Sequence, residues 1–222
     1  MGILDTFGIT RKITRTRLEA FLRRYASDAK TLDIGCGNAQ YGFLFPNRTT
    51  LDVAPRPNVQ VDIVADAHDL SMIADASFDV VLCTEVLEHL HTPERAIAEM
   101  RRVLRPGGLL LLSTRFIFPL HDVPHDYYRF TKYGLRHLLG SFEIIELAEE
   151  AGTVETLAVL YQRIGFQCET LHFRPFKIFW FLLAQITRLG IFLLSREYGD
   201  IRHAQAERHI LASGYYVAAR KS

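Results

Sequence analysis

The stretch from Lys30 to Gly42, "KTLDIGCGNAQYG", joins a short apolar strand to a glycine turn through an acid, Asp33. A strand running straight into a glycine-rich turn opens many nucleotide-binding α/β folds. A dinucleotide site asks for G-x-G-x-x-G, with the pyrophosphate resting on backbone N–H groups at a helix start. Here the run from Gly35 reads G-C-G-N-A-Q, so Gln40 occupies the place of the third glycine. Asp33 would also repel a pyrophosphate. A carboxylate beside the loop suits a ligand that carries an adenosine and a cationic amino-acid tail but no phosphate.

Outward from that stretch, strands and helices alternate as far as about residue 115. "RTTLDV" (Arg48–Val53), "VQVDIV" (Val59–Val64), "FDVVLC" (Phe78–Cys83) and "GLLLLST" (Gly108–Thr114) are short β-branched or leucine-rich runs. "TPERAIAEMRRVL" has helical spacing with Pro93 in its first turn, and "RPGG" (Arg105–Gly108) is expected to stop that helix and turn the chain into the next strand. Such alternation predicts a parallel sheet with helices on both faces, whose ligands bind beyond the carboxyl ends of the strands. Before the first strand, an amphipathic helix is expected over Arg11–Ala26, as a lid or packing helix. After Arg115 a probe along the chain meets a His-, Asp- and Tyr-rich loop, a helix at Lys132–Leu139, a strand at "SFEIIELAEE", a helical stretch over about 153–212, and a last strand at "GYYVAAR".

Composition narrows the function classes. With 222 residues the chain suits one ordinary domain, and its net charge of +1 supplies no field to attract nucleic acid, which is not expected as a partner. Cys36, Cys83 and Cys168 are far apart and odd in number, so neither a disulfide framework nor a metal site is read from them, and a reducing cytoplasm is the expected location. The first residues, "MGILDTFGITRKITRTRL", lack the long apolar core of a secretory signal.

"LDIGCGNA", "LDV", "ADAHDL", "FDVVLCTEVLEHL" and "EMRRVLRPGGLLLLST" follow one another over roughly residues 30–115 and resemble the successive motifs of class I S-adenosylmethionine-dependent methyltransferases. The resemblance implies a Rossmann-like α/β fold, a seven-stranded and mostly parallel sheet of order 3-2-1-4-5-7-6 whose last strand is antiparallel. It reads the chain as one methyltransferase domain over 1–222: an N-terminal helical segment (1–29), a cofactor-binding core (30–115) and an acceptor-side region (116–222) with a helical insertion before the last strand. It implies S-adenosylmethionine as cofactor, with Asp33, Gly35, Cys36 and Gly37 around its methionine part. Asp52, followed by Val53, would accept both ribose hydroxyls; Asp66 and Ala67 would frame the adenine; Cys83, Thr84 and Glu85 would line the cofactor and face the acceptor. Thr50 stands where a glycine is common, and the segment from Asn38 to Pro46 is short.

The loop "HDVPHDYYRFT" resembles that of a sub-group of small, bacterial-type methyltransferases bearing "PHDYYRFT". In that family the region borders the transferred methyl group. A hydroxyl acceptor must lose its proton, which a histidine near its ordinary pKa can take. His125 is therefore the first candidate base, with Asp126 or Asp122 to orient it, and His121 the second; His89, Tyr127, Tyr128 and Arg129 are candidate substrate contacts. The acceptor is read as a small molecule, saccharide-like or lipid-like, methylated at oxygen. Two other readings stay open: a non-catalytic module that binds S-adenosylmethionine or a nucleotide, and a nicotinamide-dependent dehydrogenase, disfavoured by Gln40 and Asp33. "FKIFWFLLAQITRLGIFLL" (Phe176–Leu194) is apolar almost all round, and is read as a buried helix or dimer surface, a roof over a greasy acceptor, or a membrane-interface helix.

Overall fold

A computed structural model describes residues 13–170, 174–190, 197–200 and 202–222, with backbone only for 169, 170, 174 and 175. The start of the expected first helix (11–12), the N-terminal segment before it and the end of the apolar stretch (191–194) lie outside the described residues. The described residues form two compact units, one built from 19–115, 120–148 and 215–222, the other from 13–18, 116–119 and the described part of 149–214. Helix α1 (Ile13–Arg23) contributes to both.

The larger unit is organised on a seven-stranded sheet. Strand β1 (Thr31–Ile34) is buried along its whole length, because parallel strands lie on both sides of it: β2 (Arg48–Asp52) and β4 (Phe78–Thr84). β3 (Ile63–Val64) pairs with the end of β2, and β5 (Leu104–Arg115) with β4. With β6 (Phe142–Glu149) and the last strand β9 (Gly214–Lys221), the order is β3-β2-β1-β4-β5-β9-β6, which is 3-2-1-4-5-7-6 when the sheet strands are counted in sequence. The backbone bonds beside β9 run in the antiparallel sense: Phe116 N–H to Ser213 O and Ile117 N–H to Ala212 O. Leu32, Ile34, Leu51, Val81, Leu82, Leu87, Met100 and Leu104 form the fully buried centre.

Two expectations are corrected here. The "RPGG" segment does not separate helix from strand: helix α2 (Pro93–Val103) passes directly into β5, where Leu104 already pairs with Phe78 and Leu109 with Val80. Arg105–Gly108 is thus a bulge within the strand, and Gly107 supplies its left-handed residue at φ +77°. The third strand is two residues long instead of six. At this sheet edge Thr50 gives its N–H and its hydroxyl to Asp62, each at 2.8 Å, so side-chain bonds replace the ladder that a longer strand would form.

Helix α3 (Lys132–Leu138) precedes β6; in the smaller unit, α4 (Thr153–Thr170) lies against α5 (Arg174–Leu189). Their contact is aromatic: Tyr161 stacks on Trp180 at 5.8 Å between centroids, and Phe166 meets Phe181 edge-on at 5.1 Å. The close approach is made at Gly165, where a Cβ would lie 2.7 Å from the Phe181 ring. Among the described residues, the expected helical run over 153–212 is helical at Thr153–Thr170 and Arg174–Leu189 and includes a two-stranded ribbon, β7 (Tyr198–Asp200) with β8 (Gln205–Ala206). Asp200 turns this ribbon by accepting from the N–H groups of Arg202 and His203. Helix α5 buries Phe181 and Ala184 but exposes Phe179, Leu182, Ile186 and Leu189 along its other face. Among the described residues no helix is long and apolar enough to cross a membrane.

Candidate active site

The glycine turn sits at the carboxyl end of β1 and is pinned to the next strand by Gly35 N–H and Cys36 N–H, which both donate to Leu51 O. Gly35 and Gly37 have φ of +67° and +51°. A Cβ on Gly35 would also lie 2.2 Å from Val86 Cγ2, so the glycine lets the segment after β4 pack onto the loop. In Gly35→Ala, the left-handed backbone costs about 1–2 kcal/mol and the overlap with Val86 about 1–3 kcal/mol more. The expected result is a lower melting temperature together with weakened binding of S-adenosylhomocysteine; a variant that melts and binds like the parent would show the turn to be tolerant.

Two buried carboxylates flank this turn. Asp33 is pushed up to about 6, chiefly by burial, with Asp52 adding to the rise and Arg48, whose Nε lies 3.8 Å away, opposing it. Asp52, buried at the end of β2, accepts from Gly37 N–H at 3.2 Å and from Arg56 in a two-pronged pair at 2.9 Å on each oxygen. Arg56 was not foreseen as part of the site. Val53 is exposed. Burial pushes the Cys36 thiol up to about 11 and the Cys83 thiol higher still, so neither is poised as a nucleophile.

At the mouth of β3, burial would raise Asp66, but hydrogen bonds from His68 outweigh it and hold the carboxyl below its ordinary range. Its Oδ1 accepts His68 N–H at 2.9 Å and lies 2.5 Å from His68 Nδ1. His68 in turn stacks on His91 at 4.2 Å. Ala67 beside it is buried.

The third group gathers at the ends of β4 and β5. Glu85, at φ +57°, is held by its N–H on Ser113 and by its carboxylate on Arg115. A short 3-10 turn, Leu87–His89, then carries Glu88 inward until it is fully buried. Glu88 Oε2 accepts from the Thr114 hydroxyl at 2.8 Å, while Oε1 has no hydrogen-bond partner and lies 3.9 Å from His121 Nε2. Burial raises the Glu88 carboxyl, against the opposing charge of Arg115. His121 is shifted down, mainly by its burial. Asp126 faces the other ring nitrogen of His121 at 3.4 Å, donates nothing itself, and accepts His121 N–H and a two-pronged Arg129 pair at 2.6 Å. Arg129, with help from the His121 N–H, keeps Asp126 well below the usual carboxylate range. The Glu88 carbonyl accepts the N–H groups of both Tyr127 and Tyr128, so the "HDYYR" loop is stitched to the Glu88 turn by its backbone.

The pairing foreseen around His125 is therefore replaced. His125 is exposed, its Nδ1 lies 3.1 Å from the Tyr127 hydroxyl, and its carbonyl receives His89 Nδ1 at 2.7 Å. Asp126 faces His121, and Asp122 lies 3.9 Å from His89. Glu88, which with its neighbour His89 forms a pair that the sequence offers as a substrate contact, is the residue around which His89 and His121 converge. The tyrosine side chains of 127 and 128 are exposed at the rim.

A sheet of this order, with a glycine turn and two buried carboxylates at the ends of its first two strands, defines a class I S-adenosylmethionine-dependent methyltransferase fold. Residues 32–112 match the family described as a methyltransferase domain. The chain is similar to the thiol S-methyltransferase TMT1B of Rattus norvegicus, 34% identical over 106 residues that cover 40% of this chain and 43% of that protein. It is similar also to the ubiquinone biosynthesis O-methyltransferase of Xanthomonas oryzae pv. oryzae (strain PXO99A), 37% identical over 102 residues, 39% of this chain and 43% of the relative. Both matches thus span less than half of the relatives' own length. Among solved structures, the 1,6-didemethyltoxoflavin-N1-methyltransferase of Burkholderia thailandensis, with bound 1,6-didemethyltoxoflavin and S-adenosylhomocysteine, superposes with a TM-score of 0.56 at 17% identity. That likeness covers 96% of this chain and 80% of the other, and at such identity it speaks for the fold alone.

Proposed function

We propose that this chain transfers a methyl group from S-adenosylmethionine to an oxygen of a small, saccharide-like or lipid-like acceptor. The observation that carries the reading is the buried Glu88–His121–Asp126 cluster, set where the Glu85–His89 segment packs on the glycine turn. Methyl transfer from a sulfonium is an in-line displacement that needs mainly positioning and desolvation. A thiol, with a pKa near 8.5, loses its proton readily, whereas a hydroxyl needs a built group to take or displace it. Such a cluster therefore favours oxygen, although relatives act at both atoms by name. Asp33, Gly35 and Gly37 hold the methionine part, Asp52 the ribose, and Asp66 with Ala67 the adenine; Thr84 and Glu85 border the acceptor. The test is calorimetry with S-adenosylhomocysteine and NAD, followed by transfer of labelled methyl to panels of hydroxyl and thiol acceptors. Binding of the former alone and labelling of hydroxyls are expected; tight NAD binding, or labelling of thiols only, would overturn the reading.

Asp33 makes cofactor binding depend on pH. Its carboxyl titrates near 6, so it is charged above that value and neutral below it. The bound ammonium favours the charged form, so affinity should be greatest above pH 6 and fall as pH drops through it, with the complex itself titrating lower. Calorimetry across that range checks this, and Asp33→Asn should flatten the profile; a parent profile already flat would remove Asp33 from the site.

The apolar stripe of α5, Phe179, Leu182, Ile186 and Leu189, supports a contact with a membrane surface or with a second copy of the chain. Flotation with anionic liposomes, with a blue shift of Trp180 fluorescence, is the expected result for the first; a doubled mass in light scattering without flotation marks the second. Neither outcome would return the stripe to an ordinary exposed helix face.

A further inference from the structure

The geometry points to a divalent transition-metal site at Glu88, His89 and His121, with zinc the first candidate, whose remaining position takes the acceptor's oxygen. One ligand atom from each of the three residues lies within 4.8 Å of the others. Zinc bonds of about 2.0–2.2 Å to nitrogen and oxygen place neighbouring ligand atoms roughly 3.4 Å apart, so side-chain rotations of a few tenths of an ångström to an ångström close the set. The His121 Nε2 to Glu88 Oε1 separation of 3.9 Å is too long for a hydrogen bond and close to that spacing.

The surroundings of each side chain argue the same way. A metal-binding histidine characteristically gives its second nitrogen to a carboxylate or a backbone carbonyl, which fixes the ring and its tautomer. His89 Nδ1 meets the His125 carbonyl at 2.7 Å, and His121 Nδ1 faces Asp126 at 3.4 Å, an ion-pair separation and not a hydrogen bond, so both rings turn Nε2 away from those neighbours. Asp126 is itself locked by Arg129, and Glu88 is oriented through Oε2 by the Thr114 hydroxyl. That leaves a fully buried carboxylate oxygen, Oε1, without a hydrogen-bond partner, a costly arrangement that a bound cation relieves. Two imidazoles and one carboxylate are a donor set suited to a catalytic zinc, three protein ligands with one position open. Asp122, 3.9 Å from His89 Nε2 and highly exposed, marks the side from which water or the acceptor enters.

The chemistry deepens the methyl-transfer reading and rests on it. A hydroxyl bound to the cation releases its proton to solvent, and the resulting oxyanion's electron pair forms the O–C bond. The S–C bond of the sulfonium breaks with its pair returning to sulfur, which leaves S-adenosylhomocysteine and the methyl ether or ester.

Metal binding is tested without an acceptor. Untagged protein, stripped with a chelator, is titrated with zinc by calorimetry and with cobalt(II) by visible absorption, and with S-adenosylhomocysteine in parallel. One equivalent of metal and cobalt d–d bands of a low-coordinate site are expected. Glu88→Gln, His89→Ala and His121→Ala should each weaken zinc binding by about a hundredfold or more, and Asp126→Asn by about ten- to a hundredfold. If Glu88→Gln loses its cooperative melt, the two histidine variants decide. Wild-type protein that takes up no metal, or a His121→Ala variant that takes it up equally well, overturns the site while homocysteine-product binding leaves the methyltransferase reading standing. Metal uptake without any binding of S-adenosylhomocysteine would overturn that reading and not the site.

Discussion

Replacing Asp52 by Ala should lower the affinity for S-adenosylhomocysteine by about a hundredfold or more. The carboxylate is fully buried at the end of β2, beside the Gly37 N–H, where the ribose of an adenosine ligand is expected. Two hydrogen bonds to a charged acceptor are each worth roughly 1.5–3 kcal/mol, and every 1.4 kcal/mol is about tenfold in affinity. In this structure Arg56 occupies both oxygens, so the sugar hydroxyls must displace a guanidinium that is half-exposed and free to swing into water. Arg56→Ala should therefore leave the affinity unchanged within about threefold or raise it, the opposite of the Asp52 variant. Isothermal calorimetry on both proteins checks the pair. Equal affinity in the parent and Asp52→Ala would remove the carboxylate from the cofactor site, and a large loss in Arg56→Ala would show the guanidinium to bind the ligand directly.

His121→Ala should reduce turnover by a factor of about 10² to 10⁴ and leave S-adenosylhomocysteine affinity within about threefold. The histidine faces the buried Glu88 carboxylate on one side and the Arg129-locked Asp126 on the other, so its removal disrupts the acceptor side alone. His125→Ala, by contrast, should retain turnover within about threefold, since that side chain is exposed at the rim, where it meets the Tyr127 hydroxyl. Single-turnover rates with a labelled methyl donor read both variants. A loss confined to His125→Ala would return the chemistry to the exposed "PHD" turn.

Much of the fold follows from local sequence signals, because they are carried by neighbours along the chain. The strand-plus-glycine opening at Thr31–Gly37, the β-branched runs of β2 and β4, the Pro93 start of α2 and the placing of the last strand all depend on contacts within a few residues. Pairing order then follows from the alternation of strands and helices, and the sheet has the order that the motif resemblance implies. Where partners are distant, the signals run out. "RPGG" has the composition of a turn, yet it bulges out of β5 because Leu104 and Leu109 already have places beside Phe78 and Val80. "VQVDIV" has strand character throughout, yet Asp62 takes the Thr50 groups that would continue the ladder.

The same division separates the two halves of the candidate site. Glycines at left-handed turns and acids at strand ends are local features, so the motif resemblance can point to Asp33, Gly35, Gly37 and Asp52 as candidates. Which histidine Asp126 faces could not. His121 and His125 lie within five residues of it and have the same spacing signals, and only the bonds from Tyr127 and Tyr128 to the Glu88 carbonyl settle how the loop lies. That folding-back draws His89 and His121 onto a buried glutamate that lies 33 residues from His121 in sequence, and it exposes His125 instead. A sequence records that such donors exist; their convergence on one point, and the burial that makes an unpaired carboxylate costly, are properties of the packed chain alone.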